Sequence, residues 1–213
     1  ANTGILPAVS DAQTLILADK LVHASLIDAS ACPPPNVSAT ATTLAQLERL
    51  LKEHHSAFRQ IIIVTESIFS MDGDQANLPA LTELKRRYGN VLLYVDEAHA
   101  FGVRGRQGLG CAEESGCTGD IDFLVGTFGK AAASAGAYIV CRKVIREYLV
   151  NRMRTLIFTT GLPPVNIAWT LFVVRRLADM RERREHLAHI SRTLREALQA
   201  QGYTCPAPAT SSR

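Results

Sequence analysis

Two continuous apolar runs, IIIVTES at residues 61–67 and VLLYVD at residues 91–96, constrain the fold of this chain most strongly. Neither run alternates between apolar and polar residues, which is typical of a strand that is buried on both faces of a parallel sheet. Parallel neighbours need a crossover between them. The intervening segment supplies one: the turn MDGDQAN is followed by a helix that opens at Pro79 and ends near Tyr88 and Gly89. The two runs therefore predict a β-α-β unit.

The same alternation of strands and helices continues along the rest of the chain. TLILA (residues 14–18), IDFLVGT and GAYIVC predict further strands, and LAQLERLLKEHHSAF places its leucines on one helical face. Helical spacing follows Asp19, a candidate cap, and recurs from residue 164 to about 201 with a break near Met180. SACPPPNVSATATT (residues 30–43) predicts a loop, because proline removes hydrogen-bond donors and interrupts helices. The pattern predicts an α/β domain with a mostly parallel sheet.

Composition and charge argue against several classes of function. The chain has 213 residues, and 47% of them are hydrophobic, which is enough for one large core. A net charge of +3 is too small to favour nucleic acid as a partner. No apolar run approaches the roughly 18 to 20 residues that a membrane span needs. The cysteines form no C-x-x-C pair and have no histidine cluster beside them, so we expect no metal site but free thiols in a reducing compartment, the cytoplasm. They are Cys32, Cys111, Cys117, Cys141 and Cys205.

The run VLLYVD ends in the letters DEAH, which two unrelated chemistries place after a strand. In a helicase-type ATPase, Asp96 and Glu97 would hold magnesium, and a phosphate loop of the form G-x-x-x-x-G-K-[ST] would precede them. The Gly-Lys pair of this chain, Gly129 and Lys130, lies after the DEAH motif and is followed by Ala131 instead of Ser or Thr. Without an upstream phosphate loop, the motif does not indicate an ATPase.

The other chemistry is that of an enzyme that uses pyridoxal 5'-phosphate (PLP). Such a site needs a lysine for the cofactor aldehyde, an acid on the pyridine nitrogen, hydroxyl and N–H groups for the phosphate, and a ring on the cofactor face. Ser70, Asp96 and Lys130 lie just beyond the carboxyl ends of three predicted strands. Ligands of parallel sheets bind at that edge, so we expect one pocket to hold all three residues.

Five segments of the chain, taken in order, carry a resemblance to a known family. TESIFSMDGD, VDEAHAFGVRGRQGLG and GTFGKAAASAGAYIV resemble segments of the α-oxoamine synthases, PLP enzymes of the aspartate aminotransferase fold type, and DKLVHASLID and IFTTGLPP do so as well. The resemblance implies that residues 1–163 are part of a PLP-binding large domain of fold-type I. Residues 164–213 would then be interdomain helices that lead to a small C-terminal domain.

The resemblance also implies roles for individual residues. Lys130 corresponds to the lysine that forms the Schiff base with PLP, and Asp96 to the partner of the pyridine nitrogen. His99 corresponds to the histidine that bonds the phenolic oxygen of PLP and takes part in proton transfer. His23 corresponds to the ring that stacks on the cofactor, and Thr127 to a hydroxyl that binds the phosphate.

Further residues match positions at the edge of such a site. Ser70 and Glu66 correspond to residues that line the cofactor pocket. Thr159 and Thr160 match the segment that reaches the phosphate in the neighbouring subunit, which implies a homodimer with shared active sites. Asn2 matches the end of the segment S-G-aromatic-x-x-N.

The family condenses an amino acid with an acyl-CoA or acyl-ACP thioester and releases carbon dioxide. DEAHAFGVRGRQGLG most resembles the branch that joins L-alanine to a pimeloyl thioester in biotin biosynthesis. Serine palmitoyltransferase and 2-amino-3-ketobutyrate CoA ligase share the core and stay open as alternatives. The resemblance implies an enzyme, a PLP-dependent acyltransferase without nucleic acid or membrane partners.

The chain departs from the family pattern in three ways. SACPPPNVSATATT (residues 30–43) does not resemble the family, which usually has a basic strand and turn there. Alanine stands at positions 131–133 and 135, where the family has glycine. The resemblance also implies a segment before Asn2 and a small domain with an arginine for the substrate carboxylate, neither of which is in this sequence. We therefore expect a fragment with little or no synthase activity alone, and an inactive PLP-binding partner subunit stays open as a non-enzyme alternative.

Overall fold

A six-stranded sheet forms the centre of the computed structural model, which describes residues 1–31, 37–41 and 43–205. The strand order is β2-β1-β3-β4-β5-β6; the first five strands are parallel, and β6 runs antiparallel to β5. The prediction of a mostly parallel sheet is therefore confirmed. The strands are β1 Thr14–Asp19, β2 Val37–Ala41, β3 Gln60–Glu66, β4 Val91–Asp96, β5 Phe123–Thr127 and β6 Ala137–Val140.

Helices connect the parallel strands and make up most of the last third of the described chain. Two of them begin where the side chain of the preceding residue accepts a backbone N–H: Thr43 from Gln46 and Asn77 from Ala80. The break predicted near Met180 is present as a single 3-10 turn. The helices are α1 Asn2–Val9, α2 Ala24–Ala31, α3 Leu44–His54, α4 Leu78–Arg87, α5 Cys111–Glu114, α6 Lys143–Arg152, α7 Arg154–Ile157, α8 Pro164–Arg176 and α9 Arg181–Ala200.

Strands β3 and β4 form the most deeply buried part of the sheet. Every residue of β3 after Gln60 is buried, and in β4 only Leu92 is half-buried. The rings of Tyr94 and Phe123 stack with their centroids 5.9 Å apart, which joins β4 to β5. The two apolar runs are therefore buried on both faces, as their lack of alternation predicts.

Two local predictions were wrong. Val37–Ala41 is a strand within the segment predicted as a loop, because it pairs its backbone with β1 at the edge of the sheet, which a short run of small residues can do; Cys32 to Asn36 and Thr42 lie outside the described residues. Asp19 does not cap a helix. It ends β1, its side chain accepts the N–H of Leu21, and α2 begins only at Ala24.

Helices α6 to α8 carry apolar side chains on their exposed surfaces. Phe158 and Val165 are more than 70% exposed, and Trp169 and Phe172 of α8 are about half exposed. This apolar surface has no cover from the part of the chain that the structure describes. None of the described helices combines the length and the hydropathy that crossing a bilayer requires.

Candidate functional site

A cavity of about 370 Å³ opens at the carboxyl ends of β3, β4 and β5. The strand topology brings five of the predicted site residues together in its wall, although they are far apart in the sequence. These residues are His23, Asp96, His99, Thr127 and Lys130. Asn2, Ser25 and Glu66 add further polar groups to the same wall.

Asp96 is the last residue of β4, and it is only 6% exposed. Its Oδ1 accepts the backbone N–H of Ala98 at 2.9 Å, and its Oδ2 accepts from Asn2 Nδ2 at 2.8 Å. These two donors hold the carboxylate in one orientation. Because each carboxylate oxygen has a further lone pair, Asp96 can still accept a hydrogen bond from an N–H group of a ligand in the cavity.

Glu66 lies beside Asp96, because the two residues are partners in the register of β3 and β4. It is 2% exposed, and its carboxyl group accepts the backbone N–H group of His23. Burial raises the pKa of Glu66 from 4.5 to about 7; the His23 N–H opposes this shift, and the negative charge of Asp96 adds to it. The Glu66 carboxyl group is therefore far more protonated near neutral pH than an ordinary glutamate.

Two histidines reach the cavity from different segments. His23 lies between β1 and α2; its Nδ1 accepts the N–H of Ser25 at 3.2 Å and lies 2.8 Å from Ser25 Oγ. His99 follows β4 and is half-buried. Burial, and after it the positive charge of Lys130, lowers the pKa of His99 below 6.5. A mostly neutral His99 at neutral pH can both donate and accept a hydrogen bond.

Thr127 ends β5, and Lys130 lies in the turn that follows. Thr127 Oγ1 accepts the N–H of Gly129 at 3.0 Å and donates to the carbonyl of Gly136 at 3.2 Å. A phosphate at this place would compete with Gly136 for the hydroxyl proton. The side chain of Lys130 is exposed at the cavity wall, which leaves its amine accessible to a ligand.

Three of the residues predicted at the site, Ser70, Thr159 and Thr160, do not line the cavity. Ser70 is exposed in the turn after β3 and is not among the lining residues, so the cavity holds Asp96 and Lys130 without Ser70. Thr159 is exposed between α7 and α8, and its hydroxyl accepts the N–H of Gly161 at 3.3 Å. The roles predicted for these three residues stay predictions.

Glu97, the second letter of the DEAH motif, holds the loop behind the cavity. It is completely buried, and its carboxyl group accepts the hydroxyl of Ser67 at 2.6 Å and the N–H groups of Cys111 and Ala112 at 3.1 and 2.7 Å. Gly110 must be glycine here: its φ is 111°, and a Cβ atom would lie 2.5 Å from Glu97 Oε2. Glu97 therefore joins β3 to the start of α5.

The turn that carries Lys130 contains a strained alanine. Ala133 has a φ of 47°, a left-handed conformation that costs an L-residue about 1 to 2 kcal/mol. Ala132 is buried beside Phe101, Val173 and Leu177, which ties the turn to α8. The alanines at family glycine positions thus include one residue that strains the backbone near the lysine.

Sequence reasoning missed the partners that hold Asp96 and His23. Tyr94 reads as one more apolar residue of a buried strand, yet its hydroxyl donates to Asn2 Oδ1 at 2.7 Å. Ser25 gave no signal apart from its position two residues after His23. Asn2 matched a family position, but only the folded chain shows that its side chain contacts Asp96 and Ser25.

The fold and the site together define the class of protein. The profile of the family described as "Aminotransferase class I and II" matches residues 1–211, and the chain belongs to this family. The strand order, the cavity at the carboxyl edge and the lysine turn after β5 are the features that this assignment accounts for.

Curated relatives and solved structures narrow this class to the α-oxoamine synthases. An 8-amino-7-oxononanoate synthase of Haemophilus ducreyi is 54% identical over 203 residues, which cover 93% of this chain and 52% of the relative. The solved serine palmitoyltransferase from S. paucimobilis with a bound PLP–myriocin aldimine is 30% identical with a TM-score of 0.88, over 95% of this chain and 51% of that one. An 8-amino-7-oxononanoate synthase from Francisella tularensis is 27% identical with a TM-score of 0.81, over 97% and 59%.

These comparisons confirm the resemblance to the α-oxoamine synthases and the fold-type I architecture. The chain spans about half the length of the curated relatives it matches. It is therefore similar to one half of a longer enzyme.

Proposed function

We propose that this chain binds PLP in the cavity at the carboxyl ends of β3, β4 and β5. The observation that carries the proposal is that one cavity collects an accessible lysine amine, a buried and oriented carboxylate, and two imidazoles: Lys130, Asp96, His23 and His99. This donor set matches what the cofactor needs, and a volume of about 370 Å³ accommodates a substituted pyridine. When bound, PLP supplies an electron sink for a carbanion at the α-carbon of an amino acid.

Each residue would contribute through a group at the cavity wall. Lys130 Nζ would hold the cofactor covalently and, once released as an amine, would remove the α-proton of the substrate. The Asp96 carboxylate would keep the pyridine nitrogen protonated. The neutral His99 ring would bond the phenolic oxygen, and the His23 ring would cover one face of the cofactor. Thr127 and the N–H of Gly129 would contact the phosphate.

We further propose that the longer enzyme joins L-alanine to a pimeloyl thioester and releases carbon dioxide. The 54% identity to an 8-amino-7-oxononanoate synthase supports this branch. The alternative within the family is serine palmitoyltransferase or 2-amino-3-ketobutyrate CoA ligase activity. The structural similarity to a solved serine palmitoyltransferase supports the first of these.

A homodimer with shared sites and a cytoplasmic location complete the proposal. Thr159 lies away from the cavity of its own chain, as expected of a residue that serves the site of a partner. The exposed apolar side chains of α6 to α8 would be covered by the partner subunit and by the small domain to which residues 164–213 would lead. Free thiols at Cys111, Cys117 and Cys141 fit a reducing compartment.

Absorption spectroscopy of the purified chain with PLP tests the proposed cofactor binding and the proposed amino acid substrate. We expect a visible band, which L-alanine shifts and which glycine and serine leave in place. A shift with serine or glycine instead would assign another branch of the family, and the absence of any band would overturn PLP binding.

Turnover is a separate measurement. We expect the 213-residue chain alone to release little thiol from pimeloyl-CoA in the presence of L-alanine. Full turnover would contradict the expectation that essential groups lie outside this chain. A visible band without turnover, also after the remaining half of a related synthase is supplied, would favour an inactive PLP-binding partner subunit.

A further inference from the structure

The side-chain amide of Asn2 connects Asp96 with the Ser25–His23 pair. Asp96 and His23 are the two residues that would contact the cofactor from different sides. Asn2 Nδ2 lies 2.8 Å from Asp96 Oδ2 and 3.1 Å from Ser25 Oγ, and its Oδ1 accepts the hydroxyl of Tyr94 at 2.7 Å. An amide nitrogen carries two protons, so it can serve both acceptors at once. Because a carboxylate only accepts hydrogen bonds, Asp96 fixes the amide with its nitrogen toward Asp96 and Ser25.

The hydrogen bonds between Ser25 and His23 have Ser25 as the donor. Ser25 Oγ accepts from Asn2, so the hydroxyl proton of Ser25 is available for His23 Nδ1, 2.8 Å away. The backbone N–H of Ser25 also points at His23 Nδ1, at 3.2 Å. A ring nitrogen that accepts two donors carries no proton of its own, so the proton of the neutral ring lies on Nε2.

We propose that Asn2 is a positioning residue that couples Asp96 to His23 through Ser25. The amide orients the Asp96 carboxylate, and through the Ser25 hydroxyl it selects the His23 tautomer with the proton on Nε2. Tyr94, completely buried in β4, holds the carbonyl end of the amide in place. The inference rests on the proposed function, in which Asp96 and His23 contact the cofactor; the coupling itself exists in the chain without cofactor.

Nitrogen NMR of the histidine rings in the cofactor-free chain measures the tautomer directly. The test variant is Asn2→Asp, which keeps the shape of the side chain but offers an acceptor to Ser25, so that the Ser25 hydroxyl turns away from His23. We expect the ratio of the Nδ1–H to the Nε2–H form of His23 to rise about fivefold, the change that loss of one neutral hydrogen bond brings. Ser25→Ala removes the same bond and should give a similar rise.

A matched control separates this effect from a general effect of an added charge. Asn151→Asp makes the same replacement on the exposed side of α6, where the amide donates to the carbonyl of Glu147, and should leave the His23 ratio unchanged. If Asn2→Asp does not fold, Asn2→Ala takes its place with the same direction of change. An unchanged ratio in the Asn2 variant, or an equal change in the Asn151 control, overturns the coupling.

The affinity for PLP is the second measurement. In a chain that binds PLP, the Asn2 variant should bind it about fivefold or more weakly, because both Asp96 and His23 lose their orientation. If the unmodified chain does not bind PLP, the proposed function fails, while the NMR ratio still decides whether Asn2 couples the two residues. An unchanged affinity together with a changed ratio would overturn the positioning role.

Discussion

The buried carboxyl group of Glu66 makes a quantitative prediction about stability and pH. Its pKa is raised from 4.5 to about 7 in the folded chain, chiefly by burial. An acid with a raised pKa in the folded state stabilises folding at pH values below its unfolded pKa, and this contribution is lost as the pH rises to the folded pKa. At about 1.4 kcal/mol per pH unit, the loss between pH 4.5 and about 7 amounts to about 3 kcal/mol.

The variant Glu66→Gln removes the titration and keeps the shape of the side chain, including an oxygen for the N–H of His23. We expect the free energy of unfolding of the variant, relative to the unmodified chain, to increase by about 3 kcal/mol from about pH 4 to pH 8. Urea unfolding of the cofactor-free chain at several pH values measures this difference. Glu53→Gln, at an exposed position on α3, is the control and should show a much flatter difference.

The dependence of the unfolding free energy on pH in the two variants shows whether Glu66 titrates as a buried or as an exposed glutamate. If the Glu66 and Glu53 variants differ from the unmodified chain by the same small amount at every pH, Glu66 titrates as an exposed glutamate does. The account of a partly protonated carboxyl group beside Asp96 would then be wrong.

Three further variants test other parts of the site. Glu97→Ala leaves the donors of Ser67, Cys111 and Ala112 buried without an acceptor and should lower the free energy of unfolding by about 3 to 5 kcal/mol. A loss below about 1 kcal/mol in urea unfolding would contradict the conclusion that Glu97 joins β3 to α5. Ala133→Gly relieves the left-handed backbone and should stabilise the chain by about 1 kcal/mol, and a net loss would show that the turn is not strained. Asp96→Asn should weaken PLP binding at least about tenfold in a fluorescence titration, because a charge-assisted hydrogen bond is lost, and equal affinity would remove Asp96 from the site.

The parts of the fold that the sequence predicted well are those with an unambiguous hydrophobic pattern. The β-branched and apolar runs that became β3 and β4 indicate strands buried on both faces, and the leucines of α3 indicate one buried helical face. Val37–Ala41 was missed because an edge strand needs only backbone pairing with one neighbour, and small polar residues leave no pattern behind. Asp19 was misread because a side chain that accepts a nearby N–H can serve a turn as well as a helix.

The sequence predicted where the candidate site lies, but not the hydrogen bonds and the pKa shift within it. Residues that follow parallel strands meet at one edge, which is why Asp96 and Lys130 could be expected in one cavity. The raised pKa of Glu66 depends chiefly on its burial and further on its register partner Asp96. The link from Asn2 to His23 joins α1 to the residues at the start of α2. Such contacts arise from packing and register, which the order of residues does not display.

Covalent trapping tests the central claim, that Lys130 holds a PLP cofactor in this cavity. The purified chain is incubated with PLP, reduced with borohydride, digested and mapped by mass spectrometry, with Lys130→Ala and the exposed control Lys143→Ala treated alongside. We predict a pyridoxyl group on Lys130 in the unmodified chain and in the control, and no label at that turn in Lys130→Ala. Label distributed over several surface lysines, or an unlabelled Lys130, would contradict the account.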